Sequence, residues 1–155
     1  MGGVVCVVVL VFFFQAEDGI RDVERSRGLG NVYKKQGIDS SWLVEDKHLH
    51  VKRVKSTYKG SKESITHWRV EDRDEFVSLI EIKIETGRRH QIRMAMQFLG
   101  CPVVGDIVHG ATMNPLNRIC LHATELGFLH PSSNEFVLYS SNVPFANRDK
   151  KDIET

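Results

Sequence analysis

Most of the side chains that could do chemistry lie in one short segment, residues 85–93, which reads Glu-Thr-Gly-Arg-Arg-His-Gln-Ile-Arg. Its Thr-Gly pair ends a strand-like pattern, and a helical pattern follows directly. A helix amino terminus offers unpaired N–H groups and the positive end of the helix dipole. Together with Arg88, Arg89 and His90, these features predict an anion site that suits a phosphodiester or a carboxylate.

The placement of these cations favours a functional role over a structural one. Positive side chains at a helix amino terminus oppose the dipole by roughly a few tenths of a kcal/mol each, so a purely structural helix would rather begin with Asp or Glu. The alternative is an exposed basic helix start without a ligand. Arg93 follows one turn later beside Ile92 and Met96, which predicts a partly buried guanidinium that needs a carboxylate partner. No such partner is obvious nearby in the sequence.

The patterns on either side of this segment predict an α+β domain. Residues 76–85 alternate as in a strand with one buried face. Residues 88–99 have apolar side chains at helical spacing, and Gly100 suits the position after the helix end. Further strands are expected at residues 49–56, as an edge strand, and at residues 64–70, 119–129 and 135–140. A charged hairpin loop is expected at residues 71–75.

The composition is that of one ordinary globular domain, with 155 residues, 41% apolar and 26% charged, and a net charge of +1. The charge is distributed unevenly, since residues 47–93 carry twelve Lys and Arg against seven Asp and Glu, while both flanks are acidic. This cationic middle is a candidate surface for phosphate. A solvated face of Lys-rich strands is the simpler alternative.

Neither a cofactor nor a metal is predicted. The three cysteines have no C-x-x-C spacing and are interpreted as reduced thiols, and His48 and His50 lack further ligands at a recognised zinc spacing. The apolar run of residues 4–14 is shorter than the roughly 20 residues that span a bilayer. It also lacks the basic region of a secretion signal, so no membrane partner is expected.

Residues 12–36 show neither helical nor strand periodicity. They resemble the conceptual translation of sequencing-adapter read-through. Residues 1–36 are therefore interpreted as a non-native or disordered segment and excluded from the fold. The natural domain is expected in residues 37–145, followed by a charged tail at residues 146–155.

Four motifs occur in order along the chain: T-G-R-x-H-Q-I-R at residues 86–93, G-x-P-x-x-G-D at 100–106, R-x-x-L-H-A at 118–123 and H-P at 130–131. This series resembles the C-terminal signature of RluA-type RNA pseudouridine synthases. The resemblance implies part of the pseudouridine synthase fold, a mixed and mostly antiparallel sheet with a helix after the Thr86-Gly87 turn. It also implies an isomerase that converts uridine in RNA to pseudouridine on a flipped-out base, without a cofactor.

The resemblance also implies roles for single residues. In the family an aspartate of an H-R-L-D string does the chemistry and the last Arg of H-Q-I-R pairs with it, which makes Arg93 the pairing residue here. An arginine beside that aspartate keeps it ionised. Asp106 is expected to cap or orient a turn, and Gly87 to let its turn form. RNA contacts are expected from Arg88, Arg89, His90 and Gln91, and structural roles from Gly87, Asp106, Arg118 and His122.

The sequence departs from the family because it contains no H-R-L-D string. We therefore expect a synthase fragment that lacks its catalytic aspartate and is inactive, with a non-catalytic RNA-binding relative as the alternative. A third alternative, another anion such as a nucleotide, would need a phosphate loop, and the sequence has no G-x-x-x-x-G-K-[ST]. The expected partner is RNA, either tRNA or rRNA, and the compartment stays open between the cytoplasm and an organelle.

Overall fold

One antiparallel sheet positions the candidate site. The computed structural model describes residues 6–14, 36–73 and 77–145. The sheet has seven strands in the order β3-β2-β4-β5-β1-β6-β7, and every neighbouring pair is antiparallel. The strands are β1 (Cys6–Phe14), β2 (Gln36–Glu45), β3 (Val51–Val54), β4 (Lys62–Arg73), β5 (Val77–Ile84), β6 (Leu121–Leu129) and β7 (Phe136–Ser140). The prediction of an α+β fold with a mostly antiparallel sheet is confirmed.

A single α-helix, α1 (Gln91–Phe98), packs on the sheet, and a 3-10 helix (Ile107–His109) follows it within the described ranges. The main core joins α1 to β4 and β5, and full burial of each large apolar side chain contributes about 1.5–3 kcal/mol. Its buried members are Trp68, Ile80, Ile82, Ile92, Ala95, Met96 and Val103. In the part of the chain that the structure describes, no helix is both long and apolar enough to cross a membrane.

The ends of α1 show how the sequence sets its length. Gly100 has a φ of +78°, and its N–H donates to the carbonyl of Gln97. The next N–H, from Cys101, donates to the carbonyl of Met96, which completes a Schellman motif at the predicted place. The start differs from the prediction, because the helix begins at Gln91 rather than at Arg88. The basic residues therefore precede the helix instead of forming its first turn.

Two strands were not predicted from the sequence, and each has a physical reason. The buried face of β2 includes Asp39 and Ser41, so it lacks the apolar alternation that indicates a half-buried strand. β1 lies between β5 and β6 and pairs with both, within the segment that the sequence analysis excluded from the fold. Residues 15–35 belong to the predicted non-native segment, and residues 146–155 are the predicted charged tail. Both ranges lie outside the residues that the structure describes.

The other strands are close to their predicted positions. β3 lies at the edge of the sheet, as expected for the region around residues 49–56. β4 is longer than predicted and continues through residues 71–73, which had been interpreted as hairpin loop. Its register with β5 shifts between Val70 and Asp72, so the strand absorbs an irregularity there without ending.

Gly105 holds the loop between α1 and β6 in a conformation that only glycine adopts easily. Its φ is +83°, and a Cβ built at this position would lie 1.9 Å from the carbonyl oxygen of Arg118. The Gly105 N–H donates to the carbonyl of Met113, which ties the loop together. A side chain here would have to displace backbone rather than a flexible side chain.

We expect Gly105→Ala to lower the free energy of unfolding by about 3 kcal/mol, the sum of an unfavourable φ and a backbone clash. Urea denaturation followed by circular dichroism measures this change. Gly87→Ala is the matched control, because Gly87 has no positive φ and a Cβ there meets no atom within 4 Å. Its effect should stay within about 0.5 kcal/mol. Equal losses in the two variants would contradict the assigned role of Gly105.

Candidate functional site

The side-chain amide of Gln91 connects the segment before α1 to strand β4. Its Oε1 accepts hydrogen bonds from Thr86 Oγ1 at 2.8 Å and from the Arg88 N–H at 3.0 Å. Its Nε2 donates to the carbonyl of Ile65 and to Thr66 Oγ1, both at 3.0 Å. The residue is buried, so all four of its amide bonds are internal. The amide thus braces the segment before α1, and the RNA contact expected of Gln91 stays a prediction.

His90 marks the turn into α1. Its φ is +52°, uncommon for a residue other than glycine, and its side chain makes no capping hydrogen bond. The imidazole lies edge-on against that of His109, with ring centroids 5.5 Å apart. Burial is the largest cause that lowers the pKa of His90, and the nearby charge of Arg93 lowers it further. His90 is therefore neutral at physiological pH.

Gly87 does not have the role predicted for it. The left-handed conformation of this segment occurs at His90, while Gly87 has no positive φ. A Cβ at Gly87 would meet no atom within 4 Å. The conformation of the turn does not require glycine at residue 87, and there is empty space where a side chain at this residue would lie.

Arg93 forms a bidentate ion pair with Asp106. Its Nε donates to Oδ2 and its Nη2 to Oδ1, both at 2.7 Å. The Arg93 side chain is 17% exposed and the Asp106 side chain 0%. His109 Nδ1 lies 2.9 Å from Asp106 Oδ1, so both carboxylate oxygens have partners. The expectation that no nearby carboxylate exists for Arg93 is corrected, because the partner lies 13 residues further along the chain.

Two opposing effects act on the Asp106 carboxyl. Burial by itself raises its pKa, but hydrogen bonds from Arg93 and His109 outweigh burial, so the pKa lies below its usual value. The backbone carbonyl of Asp106 also accepts from the N–H groups of His109 and Ala111. The backbone carbonyl of Asp106 thus holds the turn that follows it, while the side chain of Asp106 holds Arg93.

The geometry leaves one edge of the Arg93 guanidinium available. Nε and Nη2 both donate to Asp106, while Nη1 has no hydrogen-bond partner among the residues that the structure describes. A guanidinium carries five N–H donors in a planar fork, so this arrangement can bind a second anion without breaking the first pair.

The remaining predicted site residues occupy two other places. Arg88 and Arg89 are exposed, with Arg88 Nε donating to the carbonyl of Glu63 and Arg89 Nε 3.9 Å from a Glu45 oxygen. Arg118 and His122 instead surround the ring of Phe145, 5.1 Å and 6.4 Å from its centroid. The structure therefore groups Arg93 with Asp106, His109 and His90, and it places the side chains of Arg118 and His122 against Phe145.

The described residues contain no group of three or more His, Cys, Asp or Glu arranged to hold a metal ion. Cys120 is a buried free thiol. Burial raises the pKa of the Cys120 thiol, which disfavours the reactive thiolate.

Comparisons with known proteins show which family this chain is similar to. The family model for RNA pseudouridylate synthase matches residues 9–98, more than half of the chain. The RNA pseudouridine synthase YhcT of Bacillus subtilis is 33% identical over 117 residues, covering 74% of this chain and 38% of the relative. The ribosomal large subunit pseudouridine synthase D of Xanthomonas campestris is 33% identical over 113 residues, covering 64% and 34%. The chain thus spans little more than a third of these relatives.

Solved structures show the same fold. Human RNA pseudouridylate synthase domain containing 1 superposes with a TM-score of 0.65 at 24% identity, covering 92% of this chain and 56% of the human chain. Human RNA pseudouridylate synthase domain containing 4 gives a TM-score of 0.62 at 16% identity, covering 91% and 59%. With the family match across residues 9–98, these findings establish that the chain belongs to the RNA pseudouridylate synthase family.

Proposed function

We propose that the chain supplies the arginine side of a uridine-isomerising site in an RluA-type RNA pseudouridine synthase. The observation that carries this proposal is the Arg93 guanidinium, which is held on Asp106 by two 2.7 Å bonds and keeps Nη1 available. An anchored guanidinium pairs with a second carboxylate in a defined direction and at little further entropic cost.

The reaction itself defines what such a pair must do. The glycosidic bond between C1′ and N1 of uridine breaks, the base turns, and a bond from C1′ to C5 forms. The hydrogen on C5 leaves as a proton, and N1 gains one. In this proposal Arg93 keeps the family's catalytic aspartate ionised and aimed at the nucleotide, since a carboxylate near a buried guanidinium stays charged.

Asp106 does not fit the role of that catalytic aspartate. Its side chain is fully buried, and Arg93 and His109 occupy both of its oxygens. A carboxylate that is fully buried and held by three contacts is not accessible to a ribose. We assign Asp106 a positioning role, and we expect the catalytic aspartate to come from a family H-R-L-D string, which this sequence does not contain.

The RNA contacts are proposed for the exposed residues next to Arg93. Arg88 and Arg89 face solvent and suit phosphate, while the neutral imidazole of His90 suits a hydrogen bond or a stacked base. Gln91 is assigned to bracing the segment, because its amide is buried. Three relatives are named ribosomal large subunit pseudouridine synthase D, which makes ribosomal RNA the first substrate class to test ahead of tRNA.

The missing H-R-L-D string supports two finer proposals: the chain alone is inactive, or it is a non-catalytic RNA-binding relative. The adapter-like resemblance of residues 12–36 bears on this choice, although the family match begins at residue 9. Reading the genomic sequence upstream of Gly37 decides between them. An H-R-L-D exon there supports the synthase, and a continuous unrelated exon supports the binding protein.

We expect catalysis when the missing part is supplied by a relative. In a chimera, residues 37–145 of this chain replace the matching segment of Bacillus subtilis YhcT. The chimera should release tritium from RNA labelled at C5 of uridine, because the C5 hydrogen is lost when the new bond forms. Arg93→Lys should slow this release by about 100-fold or more, since a lysine cannot bind two carboxylates through a planar fork.

Lys52→Gln in the same chimera is the control, because it removes an exposed positive charge on β3 from a residue outside the Arg93, Asp106 and His109 group. It should leave the rate of tritium release unchanged. The unmodified 155-residue chain should release no tritium. Release by that chain, or full activity of the Arg93→Lys chimera, would contradict the proposed arginine role.

The Arg93–Asp106 pair should also give stability a defined pH dependence. The pKa of Asp106 is lowered in the folded protein, so its contribution is complete above the unfolded value of about 3.9 and is lost as pH falls through the folded value. Asp106→Asn should cost about 3 kcal/mol near pH 7. Urea denaturation should show this difference shrinking only below about pH 4. A difference that is constant down to pH 2 would contradict the lowered pKa.

A further inference from the structure

We propose that a pocket beside the β5–α1 segment binds one nucleotide of the RNA backbone, at a place separate from the uridine site at Arg93. The pocket has a volume of about 290 Å³. It lies between the β2–β3 hairpin, the start of β4 and residues 87–89. This inference rests on the proposed function, because it names a second contact with the same RNA.

Strand pairing brings the wall of the pocket together. Leu43 on β2 pairs with Lys62 on β4, and Glu45 pairs with Val51 on β3. Leu43 and Glu45 are two residues apart, so these two pairs lie on the same face of the sheet. Arg88 and Arg89 approach the pocket from the loop that follows β5.

Three cations from two separate segments line the pocket. Lys62 has no ion-pair partner among the described residues. Arg88 is held through Nε by the carbonyl of Glu63, which leaves its two terminal nitrogens available. Arg89 has only a 3.9 Å contact with Glu45 between exposed side chains, a pair of little energetic value. One acid against three cations gives the pocket a net positive charge that suits phosphate.

The shape of the pocket favours a nucleotide over a bare inorganic anion. Leu43 is 4% exposed and Val51 is half-buried, so one wall is apolar and can pack against a ribose or a base. Gly60 and Gly87 lack a side chain in the lining, and a Cβ at either would meet no atom within 4 Å. The volume of the pocket is close to about 300 Å³, the lower limit for small-ligand pockets. A pocket of this size accommodates one nucleotide and is too small for a duplex.

The same phosphate chemistry occurs in a free nucleotide, but continuity with the proposed uridine site favours RNA. Arg89 and Arg93 are four residues apart, and His90 lies between them at the turn into α1. A strand whose target uridine reaches Arg93 has its neighbouring phosphates within reach of Arg88 and Arg89. The pocket would then hold a flanking nucleotide and orient the strand.

The test measures RNA binding by the full 155-residue chain, with fluorescence anisotropy of a labelled oligouridylate of about 12 nucleotides. Lys62→Gln should weaken binding about fivefold at about 0.1 M salt, which is the loss of one phosphate contact with a salt slope of about 0.7. Lys52→Gln is the matched control, because it removes the same charge from β3 at a residue that does not line the pocket. The change in log Kd caused by Lys52→Gln should be less than half of the change caused by Lys62→Gln.

A second variant tests the shape of the pocket without changing its charge. Gly87→Val places a side chain in open space, so it should fold normally by circular dichroism and weaken RNA binding several-fold without altering the salt slope. Equal effects of Lys62→Gln and Lys52→Gln, together with no effect of Gly87→Val, would overturn the proposal. Competition distinguishes an RNA phosphate from the phosphate of a free nucleotide. If millimolar uridine monophosphate displaces the labelled RNA as effectively as unlabelled RNA does, the pocket binds a free nucleotide and the proposal is overturned.

These outcomes are independent of the catalytic test. If the YhcT chimera is active while Lys62→Gln and Gly87→Val bind RNA normally, only the nucleotide pocket is refuted. If the chimera is inactive while both variants lose RNA binding, only the catalytic assignment of Arg93 fails.

Discussion

The buried ion pair between Arg93 and Asp106 is the interaction on which the candidate site depends. Removing one partner of a buried pair leaves an uncompensated charge and costs about 3–5 kcal/mol, more than most surface contacts contribute. The fold must therefore hold Asp106 accurately. It does so through Gly105, whose φ of +83° brings the loop against the carbonyl of Arg118, and through His109, which binds the same carboxylate. The pair stabilises the loop and also sets the direction of the guanidinium.

The segment that precedes α1 is held by an uncharged side chain, the amide of Gln91. Gln91 holds the segment before α1 against β4 with four hydrogen bonds, and the hydroxyl oxygen of Thr86 accepts a further one from the N–H of Ile65. A fully satisfied buried amide specifies one arrangement of the backbone, because any other leaves polar atoms unpaired. Arg88 and Arg89 remain exposed beside this buried group, and the proposed RNA contacts are assigned to these two residues.

Much of this arrangement could be predicted from the sequence, and the remainder could not for physical reasons. The alternation in β5, the apolar spacing of Ile92 and Met96, and Gly100 after the helix are local signals, and all three are confirmed. β2 was missed because its buried face is polar. The partner of Arg93 was missed because it lies 13 residues further along the chain, beyond the end of α1, and helical or strand periodicity does not report a contact of that kind. The Gly-Asp pair at residues 105–106 was noticed but interpreted only as a turn, although a buried guanidinium without a partner was a reason to test it.

The most direct test of this account is a nuclear magnetic resonance measurement of the arginine side chains near neutral pH. The account predicts that the Nε–H of Arg93 exchanges slowly with water, because it is hydrogen-bonded to a buried carboxylate. The signal should shift and broaden in Asp106→Asn, while the Nε–H of Arg89 stays unchanged. Fast exchange of the Arg93 Nε–H in the unmodified protein, comparable with that of Arg89, would contradict the central claim that Asp106 anchors the arginine.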